Sequence, residues 1–359
     1  MARRVLHSRV VGALTYPHGI DRYVEIVSPL LLERDVTARI TAVRCQTPRS
    51  VTITLRPNEN WRGIRAGQFV AVGVQVNGVL LTRPYSPAGS ERRAASELEL
   101  TVSTHPDGRL SRHLREHARA GGTVRLSQAQ GEFVMPDRRP ERVLLISGGS
   151  GITPVMAMLR TLCEEGHRGP VGFLNYARSA DLALYGPELD RLAQANPALR
   201  VRRGYTRGPS ALSGRFCREH LDAVCGAGWE GETFVCGPPS LVGAVTAVLA
   251  EGCLPPPVVE TFTSPPRAPA VDPQGATGKI RFARSDRAAP NSGLVLLEQA
   301  EDAGLQPDHG CRMGICNTCS SRKVSGTVRN LLTGECSSSP DQDIRLCVSV
   351  PVGDVVLDL

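Results

Sequence analysis

Ten residues near the C-terminal end restrict this chain more than any others. The run Gly310-Cys311-Arg312-Met313-Gly314-Ile315-Cys316-Asn317-Thr318-Cys319 sets three cysteines at C-x4-C-x2-C, and Cys347 follows after 27 intervening residues. Two irons of a [2Fe–2S] cluster need four thiolates, and this spacing wraps three of them round the cluster in one tight loop. Gly310 and Gly314 allow backbone conformations closed to other residues and let amides approach the sulfurs. The fourth thiolate must come from elsewhere in the fold, and Cys347, in Ile344-Arg345-Leu346-Cys347, is expected at a strand end. Structural zinc sites favour paired short spacings, which this run lacks. Cys336 is the rival fourth ligand, but it lies outside the spacing in a Gly/Ser-rich stretch and reads as a free thiol. The remaining cysteines of the eleven are scattered singly. With no secretory signal legible in the first residues, reduced thiols and a cytoplasmic location are expected.

The texture of the chain changes along its length. Ser264 to Gly278, SPPRAPAVDPQGATG, reads as a semi-extended linker because of its prolines and small residues. Before it, from Val36 to about Phe133, short runs rich in Val, Ile and Thr alternate with Gly or Pro turns, which predicts an antiparallel β-barrel or sandwich. From Arg142 onward apolar strands alternate with helical segments such as ITPVMAMLRTLCEE, GPELDRLAQ and PSLVGAVTAVLAE, which predicts a doubly wound parallel sheet. The division is then an N-terminal extension 1–35, a flavin-type barrel 36–137, an α/β domain 138–263, a linker 264–277 and a cluster domain 278–359. Residues 1–35 fit neither texture and read at most as a short helical arm.

Charge separates along the same line. Residues 278–359 hold nine Lys and Arg against ten Asp and Glu, whereas 1–277 hold 33 against 25. The basic part is not interleaved with aromatics and matches no nucleic-acid module, so a body that holds anionic cofactors is the better reading. No stretch approaches the ~18 apolar residues of a membrane span.

Four motifs in the basic part suit such cofactors. In Arg83-Pro84-Tyr85-Ser86 the guanidinium suits a pyrophosphate, the ring a flavin face and the hydroxyl the flavin N5 region. A tetrapeptide recurs by chance, and a turn with an ordinary structural Tyr accounts for it equally well. Gly108-Arg109-Leu110-Ser111, before a helical run, offers free amides to a phosphate or is simply a helix cap. Gly148-Gly149-Ser150-Gly151-Ile152-Thr153-Pro154 follows an apolar strand and opens a helix, where glycines admit a diphosphate and the helix end favours its charge. Pro154 stands where the third glycine of the ordinary dinucleotide fingerprint would be. Cys236-Gly237-Pro238-Pro239 ends a strand at the edge where open sheets bind ligands, or else holds a buried structural thiol.

Taken in order, these motifs resemble the ferredoxin–NADP reductase superfamily over about 36–263. Residues 278–359 resemble a plant-type ferredoxin domain, which implies a β-grasp fold. The whole resembles the reductase components of oxygenases, hydroxylases and acyl desaturases. The resemblance implies that Arg83, Tyr85 and Ser86 contact the flavin, with Pro84 between them, and that Gly108 to Ser111 bind its pyrophosphate. It implies that Gly149, Gly151 and Thr153 border the nicotinamide dinucleotide, and that Cys236, with Gly237 and Pro238, lies near the nicotinamide. Ser86, Tyr85 and Cys236 are then nearest the reacting rings. Glu260 and Phe262 match a family segment near the flavin. The implied activity is electron transfer from NAD(P)H through FAD and the cluster to an oxygenase, hydroxylase or desaturase, soluble or membrane-bound. The alternatives are a stand-alone oxidoreductase acting on a small-molecule or ferredoxin-type acceptor, and a non-catalytic iron–sulfur module.

One reductase group with this domain order uses FMN. Gly108 to Ser111 tips the reading to FAD, whose pyrophosphate needs a second anion site. For the nicotinamide the reading is NADPH rather than NADH. Arg178 follows the strand VGFLNY and Arg207 follows LRVRRGY, where the 2′-phosphate needs cations, and no acid ends VGFLNY. The alternative is that both arginines are solvated surface charges.

Overall fold

The computed structural model describes residues 36–76, 79–105, 108–208, 212–226, 228–262, 276–309, 312, 314, 319–331 and 333–359. The expected N-terminal extension, residues 264–275 of the expected linker, Cys311 and Cys316 lie outside the described residues. Contacts divide the chain into two compact units, Met1–Gly73 with Tyr85–Phe262, and Val74–Pro84 with Thr263–Leu359.

The first sheet holds β1 (Val36–Thr47), β2 (Ser50–Pro57), β3 (Val70–Val76), β4 (Val79–Tyr85), β5 (Leu98–Ser103) and β6 (Thr123–Leu126), in the order β4-β3-β6-β1-β2-β5. Alternation dictates one face of β2, where Val51, Ile53 and Leu55 are buried. Strand β1 shifts register against β2 between Ile40 and Ala42 and again between Cys45 and Thr47. Such irregularities bend a strand and increase its twist, which curls this antiparallel sheet. Ser50 and Thr52, on the other face of β2, are buried as well. Their hydroxyls meet those of Ser103 at 2.8 Å and Thr101 at 2.7 Å. Thr101 also bonds the hydroxyl of Tyr185, from the following domain. Threonines that read in the sequence only as strand formers therefore build a polar seam. Helix α1 (Arg109–His117) connects β5 to β6 and buries Leu110 and Leu114.

The second sheet is parallel throughout. It holds β7 (Val143–Gly148), β8 (Val171–Ala177), β9 (Leu199–Tyr205), β10 (Leu212–Ser213), β11 (Glu232–Cys236) and β12 (Val258–Glu260), in the order β10-β9-β8-β7-β11-β12. Its helices are α2 (Ile152–Glu164), α3 (Gly186–Ala195), α4 (Arg218–Cys225) and α5 (Pro239–Glu251). Every residue of β7 is buried, because both faces are covered. Leu145 packs with Val155 and Leu159 of α2, while Leu144 and Ile146 pack with Leu221 and Val245 on the far side. Strand order reverses between β7 and β11, which opens a crevice at their carboxyl ends.

Helix α2 also holds the flavin sheet. The Arg160 guanidinium pairs with Glu99 at 2.8 Å and with Glu188 at 2.7 Å, and donates to the Ala88 carbonyl at 2.8 Å. It lies 5.1 Å from the centre of the Tyr185 ring. Nearby, Arg139 joins Glu91 to Glu165, and Thr161 Oγ1 accepts from the Glu91 amide. Ala66, Ala88, Phe133 and Met135 of the flavin domain share one core with α2 and β7.

In the C-terminal part, β13 (Lys279–Phe282), β14 (Arg287–Pro290), β15 (Ser320–Asn330), β16 (Cys336–Ser337) and β18 (Ser349–Leu357) form a sheet in the order β14-β13-β18-β15-β16, and β17 (Gln342–Arg345) pairs with β15. Strands β13 and β18 are parallel and the other pairs antiparallel. Helix α6 (Leu296–Asp302) packs Leu296, Leu297 and Ala300 against Ile280, Phe282, Val355 and Leu357. Cys319 and Cys347 belong to this same core. Lys323 is fully buried and donates to the carbonyls of Gly326 at 2.9 Å and Ser339 at 2.5 Å.

Arg160→Ala leaves Glu99 and Glu188 facing each other, with side chains only 23% and 21% exposed. Removing one partner from such a network is expected to lower stability by about 3 kcal/mol, measured by urea unfolding. A neutral effect would show that the arginine is not what holds α2 to the flavin sheet.

Candidate functional site

The crevice between β7 and β11 is made by backbone meeting backbone. A Cβ on Gly151 would lie 2.3 Å from the Cys236 carbonyl oxygen, and one on Gly148 would lie 2.9 Å from Pro238 Cδ. Only glycine permits this approach. The structure therefore brings the Gly148–Gly151 loop and Cys236-Gly237-Pro238 together. Gly149 has φ +58 and open space where a Cβ would be, and it and Ser150 are exposed. Helix α2 begins directly after this loop with no side-chain cap and no acid in its first turn, an end suited to a diphosphate. The Thr153 hydroxyl donates to Ser150 O at 3.3 Å, so it shapes the loop.

Cys236 is fully buried, and its thiol is pushed well up by burial and then by the charge of Glu260. It stays a neutral thiol that packs rather than a thiolate. Glu260 pairs across to Cys236 in the sheet register. Its Oε2 is buried without a hydrogen-bond partner, and burial pushes its carboxyl up to about 7. Phe262 is 39% exposed.

On the flavin side, β4 runs through Arg83, Pro84 and Tyr85, so these residues end a strand rather than form a turn after it. The Arg83 guanidinium donates to the Thr82 carbonyl at 2.7 Å, and Tyr85 is half-buried. Ser86 is buried, and its Oγ has no hydrogen-bond partner among the described residues. An orphaned buried hydroxyl is what a bound flavin's polar edge would satisfy. Helix α1 starts at Arg109, with Gly108 as its cap and no side-chain cap bond. Ser111 is inside the first turn, where its Oγ donates back to Gly108 O at 3.1 Å. A Cβ on Gly108 would lie 2.3 Å from Ser111 Oγ. The Leu110 side chain is buried in the domain core, so only its backbone is available to a phosphate. Arg109 is exposed.

Arg178 and Arg207 lie side by side at the carboxyl edge of the parallel sheet. The Arg207 amide donates to Arg178 O at 2.8 Å, and both side chains are exposed. Neither guanidinium has an acidic partner among the described residues.

At the cluster centre Cys347 lies in a single 3-10 turn, Leu346–Val348, between β17 and β18 rather than at a strand end. The Leu346 amide bonds Cys319 O at 3.1 Å, so the two buried cysteines are brought together. The Gly314 amide donates to Cys347 Sγ at 3.2 Å, and Arg345 Nη1 donates to Gly314 O. Arg312, at φ +57, forms a two-pronged pair with Glu301 of α6 and meets His309 Nε2. A thiol that already receives an amide N–H, buried beside a second thiol, fits a cluster ligand. Cys336 is exposed on β16. The Arg160 network, the unpartnered Glu260 oxygen and the Arg345 contact carry no motif and were found only in the fold.

A segment suited to a flavin, a crevice suited to a dinucleotide and a pair of buried cysteines on one chain fit an electron-transfer flavoprotein of the reductase class. Comparison with known proteins agrees. Residues 42–135 match the oxidoreductase FAD-binding domain family, 145–247 the oxidoreductase NAD-binding domain family, and 284–352 the 2Fe-2S iron-sulfur cluster binding domain family. The chain is 34% identical over 356 residues to an NADPH oxidoreductase of Mycobacterium tuberculosis, covering 98% of this chain and 91% of the relative. It is 29% identical to the glycine betaine monooxygenase reductase subunit of Pseudomonas aeruginosa, covering 82% of this chain and 87% of that one. Its fold matches phthalate dioxygenase reductase with a TM-score of 0.59 at 21% identity, over 90% of this chain and 97% of that one. The chain belongs to the ferredoxin reductase-type family with a [2Fe–2S] domain. It is an NAD(P)H-dependent oxidoreductase that passes electrons through FAD to a [2Fe–2S] cluster. No helix among the described residues is long and apolar enough to cross a membrane.

Two outcomes check this geometry. Cys347→Ser is expected to lose the cluster while retaining flavin, and Cys336→Ser to keep both, read from iron content and visible spectrum. The reverse result would overturn the ligand assignment. Glu260 holds its proton more tightly folded than unfolded, so its contribution to stability is full below about pH 4.5 and is lost as pH rises through about 7. Glu260→Gln should therefore gain stability relative to the parent between pH 5 and 8, by at most about 3 kcal/mol. A constant difference across that range, in thermal or urea midpoints, would remove the buried carboxyl from the account.

Proposed function

We propose that this chain, in the cytoplasm, takes electrons from NADPH in preference to NADH and delivers them to a separate oxygenase, hydroxylase or desaturase. The observation that carries the nicotinamide preference is the Arg178–Arg207 pair. A backbone bond holds the two strand ends together, and two exposed guanidinium groups without acidic partners among the described residues lie at the sheet edge that would receive the adenosine ribose of a bound dinucleotide. The M. tuberculosis relative, described as an NADPH oxidoreductase, supports the same choice. The partner class is supported by relatives described as reductase subunits of monooxygenases, glycine betaine monooxygenase among them. The reading takes 36–137, 138–263 and 278–359 as the three working domains.

FAD, when bound, would supply the conversion of a two-electron hydride into single electrons, which a [2Fe–2S] cluster would carry one at a time. The chain's own residues position and insulate. The Ser86 hydroxyl would meet the polar edge of the flavin, the Tyr85 ring would flank it, and Arg83 and the Gly108–Ser111 turn would balance its phosphates. The Gly149–Thr153 loop and the first turn of α2 hold the dinucleotide diphosphate. Cys236 closes the crevice as a small neutral side chain, with Gly237 and Pro238 shaping its wall, and Glu260 supplies a carboxyl that holds a proton near neutrality. Cys311, Cys316, Cys319 and Cys347 would hold the cluster.

The test compares kcat/KM for NADPH and NADH in the parent, Arg178→Ala and Arg207→Ala. Loss of one charged phosphate contact should cost roughly tenfold to a hundredfold for NADPH, about 1.5–3 kcal/mol, and leave NADH nearly unchanged. Equal loss for both nicotinamides, or a parent enzyme that prefers NADH, would overturn the assignment.

A further inference from the structure

We propose that Arg345 is a positioning residue for the cluster, which anchors the Gly314 carbonyl and so limits rotation about the Gly314 φ and ψ, so that the Gly314 N–H, in the preceding peptide unit, stays on the Cys347 sulfur and raises the reduction potential. Strand β17 ends at Arg345, two residues before Cys347, so pairing of β17 with β15 fixes where the guanidinium starts. From there Nη1 reaches back to the cluster loop and donates to Gly314 O. The Gly314 N–H donates to Cys347 Sγ at 3.2 Å. Gly314 sits at φ +74, a conformation its own structure permits but does not enforce. A glycine at this point needs an external holder if its amide is to keep one direction, and among the described residues Arg345 supplies it. No acid pairs with Arg345 among the described residues, so its hydrogen bonding is directed to the loop.

The consequence is electronic. Negative charge on the cluster and its thiolates grows on reduction, so an N–H fixed on a ligand sulfur stabilises the reduced form more than the oxidised one. Releasing the Gly314 carbonyl frees the residue to turn about its φ and ψ, which weakens the N–H bond to Cys347 Sγ and shifts the potential down, without removing a ligand. The guanidinium charge acts in the same direction, so the test has to separate charge from position.

The experiment uses the full chain with FAD and cluster in place. Arg345→Ala and Arg345→Gln are compared with the parent by iron and sulfide content, redox titration followed by EPR, and pulsed EPR of exchangeable protons near the reduced cluster. Arg345→Ala is expected to keep its iron, to lower the equilibrium constant for cluster reduction about tenfold, which is 59 mV for one electron, and to lose an exchangeable-proton coupling. Arg345→Gln, with a donor but no charge, is expected to recover the coupling and part of the potential. An unchanged potential in Arg345→Ala overturns the proposal. A lowered potential with the proton coupling intact also overturns it, since Arg345 then acts by charge alone. Failure of both variants to hold iron counts against it too, because a residue that only orients one amide is not required for assembly. The proposal rests on Cys347 being a ligand. Retention of the cluster in Cys347→Ser would mark failure of that assignment, separately from any result at Arg345.

Discussion

The Arg160 guanidinium is the point on which the geometry of the nicotinamide half depends. It sits on the third turn of α2, the helix whose first turn is the dinucleotide loop, and it binds Glu99 and the Ala88 carbonyl of the flavin domain. Ala88 lies two residues beyond Ser86. Helix α2 therefore spans from the Gly148–Gly151 loop proposed for the dinucleotide to the chain segment that carries the Ser86 hydroxyl. A partly buried charge of this kind is stable only with its partners in place, and Glu99 and Glu188 come from the two domains it joins. The hydroxyl seam from Ser50 to Tyr185 adds directional bonds beside it, so the two domains meet in one orientation.

Within that frame the dinucleotide site is defined by what has been left out. Gly148, Gly151 and Gly237 lack the side chains that would separate the ends of β7 and β11. Close backbone packing then leaves the first amides of α2 directed outward. Among the described residues six buried polar atoms lack a hydrogen-bond partner, and two of them, Ser86 Oγ and Glu260 Oε2, lie on the segments proposed for the flavin and the nicotinamide crevice. Burying such groups costs stability, and a bound ligand that satisfies them recovers it.

Much of this was legible in the sequence because chemistry there is written in contiguous runs. The glycine loop, the cysteine loop and the apolar run of β7 all act through neighbours in the chain. The parts that were not legible depend on residues far apart. Arg160 reads in ITPVMAMLRTLCEE as an ordinary exposed position of an amphipathic helix, and nothing local ties it to Glu99 or Glu188. Thr52 and Thr101 read as strand formers, and their bond appears only once β2 and β5 pair. Tyr185 takes φ +59, which its type does not suggest. Helix α4 was not foreseen because only His220, Leu221 and Val224 are buried in it, too short a stripe to show periodicity. Ser111, in the run read as a helix cap, is a first-turn residue, because Gly108 caps the helix three residues before it.

The parallel pairing of β13 with β18 has a consequence for biogenesis. Ile280 aligns with Val355 and Phe282 with Leu357, so the strand that opens this domain waits for the one that closes it. During synthesis from the N-terminus, Ile280 is made 75 residues before the Val355 it pairs with, so the sheet whose core holds Cys319 and Cys347 closes only once β18 has been added, and its assembly is a late, non-local step.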